Sequence, residues 1–115
     1  MMTSSEPSPG DIWLTYLRFI DHPDIGKVRP IVVADVREDE VLALKVTSKS
    51  PRPSSGDLQL AHWPEEGLRA PSAVWLEPSF ILKKNELLRD APIGRLHPED
   101  WGVIQTALRK LENRN

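Results

Sequence analysis

The chain has 115 residues, of which 39% are hydrophobic and 28% are charged, and its formal net charge is −2. These values predict a single globular domain, and the near-neutral charge argues against strong non-specific binding to nucleic acid. Cysteine is absent, which excludes a disulfide framework and thiolate chemistry, and no apolar run approaches the ~20 residues of a membrane span. We therefore expect a cytoplasmic protein with no membrane partner.

Residues 1–9 are polar and rich in serine and proline, which predicts a disordered lead before one domain at residues 10–115. Eleven prolines favour short strands and ordered turns over a bundle of helices. The first predicted strand, residues 11–17, mixes β-branched, aromatic and aliphatic side chains. The second, residues 31–36, is apolar almost throughout, which predicts that it is buried on both faces.

A charged turn at residues 37–40 leads into the third predicted strand, residues 41–47. This strand should run antiparallel to the second, because the connection between them is short. Residues 57–60 predict a short strand and residues 72–77 predict a longer one. Residues 80–95 are compatible with either an edge strand or a helical turn.

The C-terminal segment predicts an amphipathic helix. Pro98 suits the first helical turn, and Glu99 and Asp100 complement the positive end of the helix dipole. Trp101, Ile104 and later apolar residues recur at helical spacing. Several short strands followed by one helix predict a mainly β fold, a small barrel closed by a C-terminal helix.

Metal ligation finds little support in the sequence. His22, His62 and His97 are scattered, and none forms a pair at metal-ligating spacing. The phosphate-binding glycine loops and the Gly-x-Ser-x-Gly nucleophile motif are also absent. We therefore predict no metal site and no cofactor. The neighbouring acids Glu65 and Glu66 are typical of a solvated face.

The stretch from Gly26 to Pro30 places an arginine at the mouth of the second strand. Gly26 allows a tight turn, while Pro30 fixes its own φ and holds Arg29 extended. Thr47 and Ser48 end the antiparallel third strand, so we expect them beside Arg29 at one edge of the sheet. A fixed guanidinium beside two hydroxyls is typical of a phosphate site. The alternative is a surface turn with a salt-bridged arginine and a hydrogen-bonded strand end.

With these motifs the sequence resembles the MazF/PemK family of toxin endoribonucleases. The matching segments, in the family's order, are residues 10–14, 26–33, 46–48, 71–74 and 93–96. The resemblance extends from about Gly10 to Leu111. It implies an SH3-like small barrel of five to seven strands with a C-terminal helix, which forms a homodimer. It also implies cleavage of single-stranded RNA without a metal or other cofactor, and inhibition by a cognate antitoxin protein.

The resemblance implies roles for individual residues. Arg29 matches the active-site arginine of the family and Thr47 its active-site hydroxyl. Glu77 falls where many members carry an aspartate on a later strand, which in some members is a proposed general base; the alternative is a solvent-facing residue before Pro78. The predicted RNA contacts are Ser48, Lys27, His22 and Trp63. His22 is also a second candidate for the general base, and the alternative is a plain loop residue. Trp63 is predicted to stack on a base, and the alternative is a core residue.

Two further functions are compatible with the sequence. The Trp101–Val103 segment is similar to the C-terminal ending of the gyrase poison CcdB, although here it lies within the predicted helix. A catalytically inactive SH3-like binding module is the other alternative. If an acidic antitoxin binds, Arg29, Lys83, Lys84 and Arg95 are the predicted counter-charges.

Overall fold

The computed structural model describes residues 6–18, 25–48, 57–77 and 79–113. Three long strands and one long helix dominate it. The elements are β1 (Asp11–Arg18), β2 (Gly26–Arg37), β3 (Glu40–Thr47), β4 (Leu58–Gln59), β5 (Ala73–Val74), β6 (Phe80–Lys83), β7 (Leu87–Leu88), β8 (Gly94–Arg95) and α1 (Pro98–Glu112). The predicted mainly β barrel with a C-terminal helix is confirmed. The described chain has eight strands, because the ambiguous stretch 80–95 supplies three short ones.

All described strand pairs are antiparallel, and the two outer long strands, β1 and β3, each have two short neighbours along one edge. The main path is β4-β5-β3-β2-β1-β7, while β6 pairs with β3 and β8 pairs with β1. The first half of β3 therefore lies beside β6 and its end beside β5. In the same way, the start of β1 lies beside β8 and its middle beside β7. The result is a half-open barrel.

The predicted strands 11–17 and 41–47 are confirmed, but β2 begins earlier than predicted. It starts at Gly26, so Pro30 lies inside the strand, opposite Leu14 of β1. Proline is tolerated here because the ladder between β2 and β3 starts only at Ile31, which leaves one side of Pro30 open. In contrast to β2, the strand predicted at residues 72–77 is shorter than predicted and contains only Ala73–Val74.

The strand β2 contributes to two hydrophobic cores, as its continuous apolar run predicted. Ile31, Val32 and Val33 are all fully buried. Side chains alternate along a strand, so Val32 packs into the core under the helix while Ile31 and Val33 pack into a second core on the opposite face. The prediction that this strand is buried on both faces is confirmed.

Helix α1 covers the first core, and its start is fixed by the residue before it. The His97 ring accepts a hydrogen bond through Nδ1 from the Glu99 backbone N–H at 3.1 Å, which caps the helix. Ile104 is buried, and Trp101 packs against the same core. The predicted amphipathic helix is confirmed. Among the described residues, no helix is long and apolar enough to cross a membrane.

Part of the predicted disordered lead makes defined contacts. Residues 1–5 lie outside the described residues. Glu6 forms an ion pair with Lys84 at 3.1 Å, and the Ser8 backbone N–H donates to Asp11 at 2.8 Å. Asp11 in turn accepts a hydrogen bond from Arg95 of β8, so these contacts hold residues 6–11 against the end of the sheet.

Candidate functional site

The strands β2 and β3 diverge at one end of the sheet, and the gap between them opens a groove. Their ladder ends at the pair Ile31–Lys45. Beyond that pair, Arg29 lies opposite a residue of β1, while Thr47 lies opposite Ala73 of β5. Arg29 and Thr47, which we predicted as neighbours, therefore pair with different strands. The groove has a volume of about 480 Å³, within the range of roughly 300–1,000 Å³ that is usual for ligand sites.

Three arginines line this cavity, which we call the arginine groove. Arg29 comes from β2, Arg69 from the segment before β5, and Arg89 from the turn after β7. Elsewhere in the structure Arg37 and Arg95 form ion pairs with aspartates. Within the part of the chain that the structure describes, none of the three groove arginines is paired with a carboxylate. Three uncompensated guanidinium groups in one groove suit a ligand with several negative charges.

The backbone at Arg89 is in an uncommon conformation. Its φ of 71° lies in the left-handed region, where a residue with a side chain costs roughly 1–2 kcal/mol. This conformation turns the chain directly after Leu88, the last residue of β7, and Arg89 then lines the groove. Strained residues of this kind cluster at ligand sites, where the surrounding structure holds them.

Hydroxyl groups of two serines also line the groove. Ser48 is exposed, whereas Ser72 is buried and its Oγ donates to the Ala70 carbonyl at 2.8 Å. At the end of β3, Val46 and the first residue after the strand, Ser48, line the groove, and Thr47 lies buried between them. Because side chains alternate along a strand, Ser48 is the strand-end hydroxyl best placed for a bound ligand. Apolar side chains complete the cavity: Leu14, Val46, Leu68 and Ile93.

The structure does not bring Glu77 to the arginine groove. Glu77 is exposed and lines a separate cavity of about 470 Å³, together with Arg37 of β2 and Trp101 of the helix. The reason is that β5 ends at Val74, and Leu76 then packs into the core under the helix, which carries the chain away from the groove. Among the described residues that line the groove, none is a carboxylate or a histidine.

The remaining predicted contacts are dispersed. Lys27 is exposed on β2, opposite Leu17, and is not among the groove-lining residues described. Trp63 packs against the core under the helix, which matches the core alternative for this residue. His22 lies outside the described residues. The CcdB-like segment from Trp101 to Val103 lies inside α1.

Two buried carboxyl groups that the sequence did not indicate lie where the turn at residues 61–67 meets helix α1, with Glu66 in the turn and Asp100 in the helix. Glu66, predicted to be solvated, is fully buried, and Asp100 is 5% exposed. Asp100 accepts the backbone N–H groups of Ala61 at 3.1 Å and His62 at 3.0 Å, and Glu66 accepts that of His97 at 2.8 Å. These hydrogen bonds join the turn to the N-terminus of α1.

The two carboxyl groups interact, so that the ionisation of one affects the ionisation of the other. Burial, together with the hydrogen bond to Asp100, raises the pKa of Glu66 to about 7. Burial opposes ionisation of Asp100 as well, but the hydrogen bonds from Glu66 and from two backbone N–H groups outweigh it and lower its pKa. Hydrogen bonds to Glu99 and Glu65 raise the pKa of His62 beside them.

The raised pKa values of Glu66 and His62 predict that stability falls as pH rises above 4.5, whereas the lowered pKa of Asp100 acts with the opposite sign below its usual value of 3.8. A Glu66 carboxyl that binds its proton more tightly when folded contributes stability that is present below pH 4.5 and lost as pH rises to about 7. The effect should be roughly 1–3 kcal/mol in the free energy of unfolding. The raised pKa of His62 has the same sign, and its contribution is lost above pH 6.5.

Urea unfolding of the Glu66→Gln variant in EDTA tests this. Glutamine mimics the protonated carboxyl, so the variant should lose the slope between pH 4.5 and 7 and be more stable than wild type at pH 8. The matched control is Glu112→Gln at the exposed far end of α1, which should keep the wild-type slope. A Glu66→Gln variant with the wild-type slope would contradict the prediction.

Sequence reasoning missed Arg69 and Arg89. Arg69 follows a turn of Pro64–Gly67, and Arg89 lies in the stretch whose structure stayed ambiguous. No spacing connects them with Arg29, because separate loops carry them to the groove. An indirect signal was present: both are arginines in polar, turn-rich segments, where binding residues concentrate.

No protein-family model matches this sequence, and no curated protein matches it. Among solved structures, the fold is similar to that of the Mycobacterium tuberculosis toxin MazF-mt6, with a TM-score of 0.69 and 18% sequence identity. The alignment covers 91% of this chain and 98% of that chain. At this identity the likeness shows a shared fold, a mainly β small barrel with one C-terminal helix, which agrees with the resemblance that the motifs indicated.

Proposed function

We propose that this protein is a toxin-type endoribonuclease that cleaves single-stranded RNA by attack of the 2′-hydroxyl on the adjacent phosphate, without a metal. The observation that carries the proposal is the arginine groove on a MazF-like fold, where Arg29, Arg69 and Arg89 have no carboxylate partner among the described residues. Consecutive phosphates of an RNA strand supply the spaced negative charges that such a groove suits.

The residues support the chemistry in the following way. Attack by the 2′-hydroxyl places extra negative charge on the phosphorane, which a guanidinium stabilises. Arg29 has this role, because a half-buried arginine within a strand is held more firmly than the exposed Arg69 and Arg89, which position neighbouring phosphates. Ser48 donates a hydrogen bond to a phosphate oxygen. Since Glu77 lines another cavity, His22 is the proposed general base.

The proposed homodimer has a candidate surface on the hairpin of β1 and β2. Tyr16 and Val28 lie opposite each other on these strands and are 46% and 52% exposed. Ile25, next to the start of β2, is 48% exposed. Large apolar side chains that are exposed next to each other mark an interaction surface, and a second copy of the chain would bury them.

The proposed antitoxin partner would offer an acidic segment to the arginine groove. Lys83, Lys84 and Arg95, which we predicted as its counter-charges, already form ion pairs within the chain. Arg29, the fourth predicted counter-charge, and Arg69 of the groove are better placed for this role, because neither is paired with a carboxylate among the described residues. Inhibition would then follow from occupation of the RNA site.

The direct test is incubation of the purified chain with an unstructured RNA in the presence of EDTA. We expect cleavage that yields a 2′,3′-cyclic phosphate and a 5′-hydroxyl, identified by mass spectrometry of the fragments. Intact RNA at micromolar protein concentration would contradict the nuclease proposal. In that case RNA binding without cleavage would indicate the inactive module, and inhibition of gyrase supercoiling would indicate the CcdB-like function.

A further inference from the structure

Two histidines that are far apart in the sequence lie in face-to-face contact. His62, in the turn at residues 61–67, and His97, the cap of α1, have ring centroids 3.7 Å apart and planes inclined by 10°. Glu65 completes the group, and one donor atom of each of the three residues lies within 4.8 Å of the others. We call these residues and Glu99 the histidine cluster. Two imidazoles and a carboxylate form a donor set that zinc and similar transition metals favour.

The hydrogen bonds of His62 distinguish its two nitrogens. Nε2 lies 2.6 Å from the Glu99 carboxylate, which is a short hydrogen bond from an N–H donor. A carboxylate that holds the far nitrogen of a histidine fixes the tautomer and orients the ring, as the outer carboxylates of metal sites do. Nδ1 then faces the cluster, 3.3 Å from the Glu65 carboxylate.

This separation matches a metal site. For bonds of ~2.0–2.1 Å the edge of a tetrahedron is about 3.3–3.4 Å. His62 Nδ1 and the Glu65 oxygen, at 3.3 Å, are therefore already spaced as two ligands of one ion. Coordination uses the lone pair on Nδ1 and leaves the Nε2 hydrogen bond in place; in the doubly protonated ring, the Nδ1 proton is first lost to solvent.

His97 is the ligand that must adjust. A neutral imidazole has one lone pair, and in His97 that pair accepts the Glu99 backbone N–H. The stacked rings also direct their nitrogens along parallel planes, so the His97 ring must turn to meet an ion at His62 Nδ1. His97 precedes the helix, so this rotation exchanges one capping hydrogen bond for a metal bond without disturbing the helix interior.

The local charge favours a cation. Glu65 and Glu99 are each about two-thirds exposed, and the buried pair of Glu66 and Asp100 lies directly beneath. No lysine or arginine forms a described ion pair with the cluster acids. A divalent ion would therefore enter a site of net negative charge.

We propose that His62, Glu65 and His97 bind a zinc-class divalent ion that fastens the 61–67 turn to the N-terminus of α1. Glu99 is a positioning residue that orients His62, and solvent completes the coordination. The turn continues into Gly67 and Leu68, which line the arginine groove, so the ion would stiffen one wall of the groove. The proposal does not depend on the nuclease function, since the ion would have a structural role.

Titration of the full chain with zinc chloride tests the proposal, with heat of binding and the unfolding temperature as readouts. We expect one zinc per chain with micromolar affinity and a raised unfolding temperature, since the ion binds the folded state. Magnesium should have no effect, because it prefers oxygen ligands. In nitrogen NMR of the histidine rings, zinc should shift Nδ1 of His62 while Nε2 keeps its proton.

The His62→Gln and His97→Asn variants should each lose at least 10-fold in zinc affinity. Asparagine is a good helix cap, so His97→Asn separates metal binding from loss of the cap. The control is Glu112→Gln, which lies ~20 Å along the helix and should bind zinc like wild type. Absence of zinc binding at 100 µM, or unchanged binding in both folded histidine variants, would overturn the proposal.

Discussion

Replacing Arg29 with alanine is expected to lower RNA cleavage by on the order of 10²-fold or more, by analogy with the loss of an oxyanion donor. The domain should stay folded, because Arg29 is half-buried at the strand edge and is not paired with a carboxylate in the described structure. Arg29→Lys should recover little activity, since an ammonium group lacks the planar fork that holds two phosphate oxygens. Initial cleavage rates on one RNA substrate in EDTA provide the measurement.

Arg37→Ala is the matched control for this experiment. Arg37 lies on the same strand as Arg29 but at its opposite end, where it pairs with Asp35 at 3.3 Å. Its removal should leave cleavage within about twofold of wild type, because exposed ion pairs contribute little. Equal rates for wild type and folded Arg29→Ala would show that Arg29 has only a structural role in β2 and would contradict the proposed catalytic role.

The second large effect is on stability. Asp100→Ala should lower the free energy of unfolding by about 3 kcal/mol or more, because it leaves the buried N–H groups of Ala61 and His62 without their acceptor. It also removes the partner of the Glu66 carboxyl. Urea denaturation at pH 6 in EDTA provides the measurement, so that bound metal does not contribute.

The neighbouring acid provides the comparison. Glu99→Ala, one residue earlier in the same helical turn, removes an exposed carboxylate and should cost less than about 1 kcal/mol. Asp100→Asn should be intermediate, since an amide keeps one acceptor oxygen. If Asp100→Ala unfolds at the same urea concentration as wild type, the buried carboxyl pair does not hold the turn to the helix.

Local pattern was sufficient for the elements that bury a regular face. The run from Ile31 to Val36 predicted a doubly buried strand, and the apolar spacing after Pro98 predicted the helix. What pattern could not supply was the position where neighbouring strands separate. Thr47 pairs with β5 and not with β2, because the curl of the sheet ends their ladder at Ile31. That choice depends on packing across the whole domain.

Among the charged residues too, local pattern could not predict what depends on packing across the domain. Glu65 and Glu66 are adjacent and chemically identical, yet one is exposed and the other is fully buried. The burial of the two side chains differs because the absence of a side chain at Gly94 lets the backbone of Glu66 pack directly against it. A Cβ atom at Gly94 would lie 1.9 Å from the Glu66 carbonyl oxygen. In the sequence these residues are 28 positions apart, so composition around Glu66 indicated only a polar turn.

The strand β1 is synthesised first but completed last. Its outer edge pairs with β7 and β8, where Asp11 lies opposite Arg95. A nascent chain on the ribosome therefore exposes this edge until residues near 95 emerge, and closure must wait for contacts of long sequence separation. The same late segment carries Arg89 and Ile93 to the groove. An incomplete chain thus lacks one wall of the groove, so the cell would encounter the assembled site only after nearly the whole domain has been translated.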